Sequence, residues 1–264
     1  MMQSPYENPH AQNWLGLWTL YSREVRRFIK VYSQTLMAPL VTTLLFFAVF
    51  SLALGNAVKT VGDAPFLEFL APGLVMMAIT QNAFANTSSS LIIAKIQGNI
   101  VDTLMPPLGA HELTFAYAMG GATRGLMIGF FIVVSMSFFV PMIPDNIFLV
   151  LFHGFMGALM LSLFGILGGI WADKFDHMAA VTNFVVTPLS FLSGTFYSIE
   201  RLPEFAQTLA QINPFFYMID GFRSGFITQS DSDILTGVLV MTGINTALWI
   251  LCYRLFKTGY KLKA

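Results

Sequence analysis

The chain has 264 residues and carries 14 basic and 14 acidic side chains, so its formal net charge is zero and it is no strongly basic nucleic-acid binder. Only 11% of residues are charged against 55% hydrophobic, and the mean hydropathy is +0.67. One globular core cannot hide that much apolar surface, which makes lipid the solvent. The one cysteine, Cys252, excludes an internal disulfide framework and a multi-cysteine metal site, and reads as a small buried hydrophobe.

Residues 1–13 are polar with two prolines and do not read as a cleavable signal; they are expected to be loosely ordered. Residues 14–32 then repeat apolar side chains at helical spacing, namely Trp14, Leu17, Trp18, Tyr21, Val25, Phe28 and Tyr32. Arg23, Arg26, Arg27 and Lys30 follow the same spacing on the other face. An aromatic face against a basic face predicts a helix lying in the membrane interface, rings among acyl chains and cations near lipid phosphates. It is either an anchor alone or an anchor whose exposed face meets a partner.

A bilayer core about 30 Å thick needs roughly 20 apolar residues per helix. Six segments meet that length: about 37–55, 69–93, 114–140, 147–171, 178–197 and 234–256. An even number puts both termini on one side. With the termini in the cytoplasm, Arg23, Arg26, Arg27, Lys30, Lys95, Arg124, Lys174, Arg254, Lys257, Lys261 and Lys263 fall inside. Lys59, Arg201 and Arg223 fall outside, and eleven against three selects that orientation.

The second span carries Asn82, Asn86 and Ser89 at i, i+4 and i+7, a polar stripe that must turn away from lipid. It serves either to bond neighbouring helices or to line a wet path. The following link offers one short helix at about 98–105, carrying Gly98, Asn99 and Asp102 and stopped by Pro106-Pro107. That block suits docking into a partner's cleft, or is simply a tight connector. Gly121, Gly125 and Gly129, and then Gly165 and Gly169, form small-residue ridges that predict close helix packing.

The span interiors hold almost no acid or paired cation of the kind an ion-coupled carrier uses; His153 is placed near the outer end of its span and Arg124 near the inner end of its own. The four histidines are scattered, and neither a metal cluster nor a nucleophile with its base is formed. The phosphate-cradling GxxxxGK[ST] loop is absent, so a nucleotide-driven process would need a separate chain.

Between the fifth and sixth spans lie two short helical pieces, about 203–211 and 215–227, broken at Asn213-Pro214. Each is too short to cross, and together they form an outer hairpin over about 198–230. Asp220 and Arg223, at i and i+3, can neutralise one another while the second piece dips into the outer leaflet. The hairpin serves as a structural lid or touches substrate.

The run Leu192-Ser193-Gly194, Leu202-Pro203, Asn213-Pro214 and Asp220-Gly221-Phe222-Arg223 resembles the signature of type-2 ABC exporter permeases, the branch with nodulation-factor, antibiotic-resistance and polysaccharide export permeases. Tyr197-Ser198 departs from it, standing where many relatives place a proline. The resemblance implies an all-α integral membrane domain over 14–264: an N-terminal amphipathic interface helix, six transmembrane helices and a re-entrant extracytoplasmic hairpin. It implies a bacterial inner-membrane homodimer, each copy contacting a cytoplasmic ATPase that binds ATP and Mg, with no cofactor in this chain.

On that likeness 98–105 is a coupling helix, with Gly98, Asn99 and Asp102 working alongside Arg23, Arg26 and Arg27. The path is then walled by the second and fifth spans, through Asn82, Asn86, Ser89, Phe184 and Phe191. The expected function is the non-catalytic permease subunit of an exporter moving a lipid-linked glycan or a hydrophobic small molecule. A membrane scaffold that moves nothing, or a secondary carrier, are the competing classes.

Overall fold

A computed structural model describes residues 13–55, 58–62, 64–199, 202–227 and 230–262. The expected loose N-terminus therefore lies outside the described residues except for Asn13, as do Arg201 and Lys263 of the charge count.

The described chain is helical apart from one small hairpin. Helix α1 (Trp14–Ile29) is capped by Asn13, whose side chain accepts the Gly16 N–H at 2.8 Å. Then come α2 (Ala38–Leu54), the antiparallel pair β1 (Thr60–Val61) and β2 (Ala64–Pro65), and α3 (Phe66–Ile96). The short α4 (Ile100–Leu104) leads into α5 (Ala110–Met136) and α6 (Ile147–Trp171). The run α7 (Phe175–Val181) and α8 (Thr187–Phe191) precedes α9 (Glu204–Ile212), α10 (Pro214–Arg223) and α11 (Ile234–Thr258).

Among the described residues five helices are long and apolar enough to cross a membrane: Ser33–Leu54, Phe66–Ile96, Ala110–Met136, Ile147–Trp171 and Ile234–Thr258. The segment predicted as a span over 178–197 is helical from Phe175 to Phe191 and is shorter than expected at its end. Apolar composition continues past Phe191, but Gly194 adopts φ +74°, which turns the backbone out of the helix. The predicted 114–140 likewise becomes 110–136: Phe138 and Phe139 keep the hydropathy high after the helix has stopped.

The bundle is built around α3. Of its apolar window 78% is buried, against 11% for the span containing α2 and 17% for α11, so those two run along the periphery. Helix α3 packs on α5, α6, α10 and α2. Glycines permit the closest approaches: a Cβ at Gly125 would lie 2.6 Å from the Ile79 carbonyl, and one at Gly165 would lie 2.7 Å from that of Phe84. Cys252 is fully buried, its Sγ 3.5 Å from the Leu163 carbonyl.

Two π-helical turns interrupt the apolar helices, Ser33–Met37 before α2 and Thr182–Val186 before α8. Each is followed two residues later by a proline, Pro39 or Pro188. A proline has no N–H to donate and its ring collides with the carbonyl four residues earlier; the widened turn moves that carbonyl aside and lets the helix continue.

Candidate functional site

Three places in the bundle gather polar side chains, and each is set by which helix faces which. The first lies where α1 crosses α3 and α5. The buried stripe of α1 is Leu20, Glu24 and Phe28, and Glu24 is 1% exposed. Its carboxylate accepts the Ser90 hydroxyl at 2.9 Å and lies 3.5 Å from Arg23 Nη2 and 3.4 Å from Arg27 Nη2. Arg23 donates onward to Thr103 Oγ1 of α4 at 3.1 Å and to the Tyr117 hydroxyl of α5 at 3.2 Å. Arg27 donates to the Asn86 carbonyl at 2.6 Å, to Asn86 Oδ1 at 3.0 Å and to Ser89 Oγ at 3.3 Å.

The expected division of α1 into an aromatic face and a lipid-phosphate face therefore needs correction. Trp14, Trp18 and Tyr32 are exposed, but Arg27 and the half-exposed Arg23 bond to protein partners, because α3, α4 and α5 offer acceptors that a single-helix pattern does not display. Arg26 stays exposed. Glu24, Tyr117 and Thr103 were not singled out by the sequence. The available signal was an acid at i+4 from Leu20 and i−4 from Phe28.

Helix α4 joins this cluster from below. Gly98 takes φ +74°, reversing the chain after α3, and Asn99 Nδ2 donates to Gln97 Oε1 at 3.3 Å. Ile100 and Thr103 are buried, while Val101, Asp102 and Met105 are exposed. The α1 start is fixed to the same corner: Asn13 N donates to Glu112 Oε1 at 2.9 Å, and the other carboxylate oxygen takes the Gly109 N–H. Nearby, Lys95 Nζ donates to the Ile170 and Ala172 carbonyls at the end of α6, and Lys261 Nζ to that of Trp171. Both lysines reach Asp173, whose carboxyl they hold below the ordinary carboxylate range, Lys261 first and then Lys95.

The second place is the outer surface of α3 between α2 and α7–α8. A cleft of about 430 Å³ lies against α7–α8, and one of about 330 Å³ against α2; Gln81 and Asn82 line both. Asn82 Nδ2 donates to the Ala78 carbonyl at 2.9 Å, and its Oδ1 accepts Arg124 Nη2 at 3.3 Å. Asn86 is fully buried behind this surface, and Ser89 is half-buried. Phe184 is 81% exposed and Phe191 41%, on the outward side of the α7–α8 run. The polar stripe thus divides: Asn86 joins helices, whereas Asn82 and Ser89 also reach an open cleft. Arg124 stands midway along α5 rather than near its end, since the helix begins at Ala110.

The third place is α10, wedged between α3, α6 and α11 at the opposite end from α1. Asn213 caps it by accepting the Phe215 N–H at 3.0 Å and ties it to α8 by donating to the Leu189 carbonyl at 2.9 Å; Pro214 occupies the first turn. Asp220 and Arg223 form no direct ion pair among the described residues. Asp220 accepts Ser230 Oγ, the Asp231 N–H, and both the N–H and hydroxyl of Ser232, all within 3.0 Å. Arg223 Nη2 donates to the Gly194 carbonyl at 2.7 Å, and the guanidinium lies 3.6 Å over the Phe69 ring. Backbone partners from the neighbouring loops displaced the expected i, i+3 pair.

A polar cluster at one end, a fixed helix at the other and clefts along the central helix are the anatomy of a helical membrane transporter subunit, and comparison with known proteins agrees. The model of the family described as "ABC-2 type transporter" matches residues 16–227. The chain is 36% identical over 251 residues to Inner membrane transport permease YadH of Escherichia coli (strain K12), covering 95% of this chain and 98% of that protein. It is 24% identical over 213 residues to Nodulation protein J of Rhizobium leguminosarum bv. trifolii, 80% of each chain. With Probable multidrug ABC transporter permease YbhR of Escherichia coli (strain K12) it shares 27% over 173 residues, 63% of this chain and 46% of that one. The chain belongs to the ABC-2 type transporter family, as a permease component.

Proposed function

We propose that this permease is the membrane half of an ATP-driven exporter in the bacterial inner membrane. It works as a homodimer, each copy seated on one cytoplasmic ATPase subunit that binds ATP and Mg. The charge asymmetry of the sequence supports placing both termini, α1 and α4 in the cytoplasm. In this reading Phe175–Phe191 is the fifth of six crossings, kept short by its turn at Gly194, and α9–α10 is the re-entrant outer hairpin.

The observation that carries the reading is the bracing of α4. Arg23 binds Thr103 of α4 and Tyr117 of α5, and its neighbours Glu24 and Arg27 hold α3. A displacement of α4 by the ATPase is thereby passed through α1 to the wall of the clefts, which would alternate between inward- and outward-open states. The exposed Val101, Asp102 and Met105 are the surface offered for docking, with Gly98 and Asn99 shaping the turn into it. Asn82, Ser89, Phe184 and Phe191 face the path, and Asn86 supports it from behind. The cargo is a lipid-linked glycan or a hydrophobic small molecule; a relative named as a multidrug permease supports the second.

Met105 is 77% exposed, so Met105→Asp leaves the fold intact. In membranes containing both subunits it is expected to lower ATP-dependent export at least about tenfold, as loss of an apolar contact worth about 1.5–3 kcal/mol would, with the permease still inserted. Failure of the chain to co-purify with any ATPase subunit, or full export by this variant, would sink the reading. Gradient-driven flux in liposomes containing this chain alone would replace it with a secondary carrier.

A further inference from the structure

Arg124 is a cation whose charge is left over. The guanidiniums of Arg27 and Arg124 both reach the polar stripe of α3, and the nearby carboxylate Glu24 is already shared by Arg23 and Arg27 at 3.5 and 3.4 Å. Arg124 forms no ion pair among the described residues. It has the bond to Asn82 at 3.3 Å, and its Nε is buried without a protein partner. An arginine held midway along a membrane helix with no counter-charge is costly, and such a charge persists where something meets it.

The cleft that Arg124 lines is shaped for the missing partner. Helices α2 and α3 run antiparallel across the β1–β2 hairpin, so Gln34 in the π turn before α2 lies level with Gln81 and Asn82 on α3, beside Arg124. Towards the other end the walls become Phe46 and Leu74. One end is polar and cationic, the other apolar, within about 330 Å³. A second copy that met this face through the same helices would bring no acid to this level, since α2 has no acidic residue while α3 and α7–α8 carry only Glu68 and Asp176, near their far ends.

We infer that the α2–α3 cleft binds an anionic amphiphile, its phosphate or carboxylate on Arg124 and its chain along Phe46 and Leu74. A guanidinium fork matches either group through two parallel hydrogen bonds. The inference rests on the cleft and not on the transport reading, since binding requires no ATPase.

The full chain, purified in neutral detergent, is titrated with phosphatidylglycerol, phosphatidylcholine or inorganic phosphate while its unfolding temperature is followed, and native mass spectrometry counts retained lipid. Phosphatidylglycerol is expected to raise the unfolding temperature with one site per chain, and the other two additives to leave it unchanged. Arg124→Gln should weaken the phosphatidylglycerol response by about tenfold or more, the loss of its charge-assisted hydrogen bonds, Arg124→Lys should keep part of it, and Arg26→Gln on exposed α1 should keep all of it. Thr42→Trp, which fills the cleft from α2 and leaves Arg124 in place, should abolish it. An equal response to phosphatidylcholine, or an unchanged one in both Arg124→Gln and Thr42→Trp, overturns the inference. Phosphate acting as well as the lipid overturns the amphiphile and names a free anion instead.

Discussion

At both ends of the bundle a carboxylate is buried to the same degree, Glu24 and Asp220 each 1% exposed, yet the two are satisfied in opposite ways. Asp220 takes its bonds from one loop, two of them from backbone N–H groups, and Arg223 beside it gives its bonds to backbone carbonyls. Backbone partners cannot swing away, so α10 is locked. Glu24 instead meets side chains of its own helix and of α3, and Glu24 Oε2, Arg27 Nε and Asn86 Nδ2 have no hydrogen-bond partner in the protein. Arginine and asparagine side chains exchange partners by rotating about single bonds, so this end can re-pair without breaking a helix. One end is built to stay and the other to shift.

The largest test of that contrast is Asp220→Ala, which takes the buried acceptor from four half-buried donors. It is expected to cost about 3–5 kcal/mol of stability, read as a fall in unfolding temperature in detergent. If Glu24→Ala proves the more damaging of the two, the contrast fails. A middle-sized effect is expected for Glu24→Gln, about 1.5–3 kcal/mol, since the amide still accepts from Ser90 but no longer opposes two guanidiniums. Adding Arg27→Gln to it should cost less than the sum, with a coupling of about 0.5–3 kcal/mol in a double-mutant cycle. Simple additivity would show that the pair never acted together.

The smallest effect belongs to the solvent-facing corner of the α1 end, at Asp173. Its folded pKa is depressed by Lys261 and Lys95, so the contribution is present above the unfolded value of about 3.9 and is lost as pH falls through the folded one. Acid below about pH 4 should loosen the corner between α6 and α7, and Asp173→Asn should flatten that dependence. Hydrogen exchange of residues 171–177 across pH is the measurement.

Much of this was legible in the sequence because lipid imposes long apolar runs. The α3 stripe could also be read, since polar groups in a span must face protein or water. Helix ends were less legible: Phe138 and Phe139 look like more helix to a hydropathy sum, and only the turn geometry stops the chain there. Glu24 was hidden among arginines, where an acid reads as surface; Ser90 meets it and Tyr117 holds its neighbour Arg23, both far away in sequence. The same long-range competition separated Asp220 from Arg223. Patterns within one helix show which way a residue faces, and partners on other helices decide whether a charge can be buried there.

The two π turns carry a consequence of their own. Each adds one residue to a helical circuit, and Ser33–Met37 and Thr182–Val186 lie in the two helices that flank the exposed surface of α3. Because the wide turn takes up its extra residue within one circuit, deleting that residue would restore 3.6-residue winding with the faces on either side still aimed as they are. Tightening either turn at full chain length would instead rotate everything on one side by about 100°, and Val41, Leu45 and Phe184, now exposed, would change direction while the apolar content stayed the same. A change of winding is therefore a rotary adjustment here, able to re-aim a whole helix face without altering a single side chain on it.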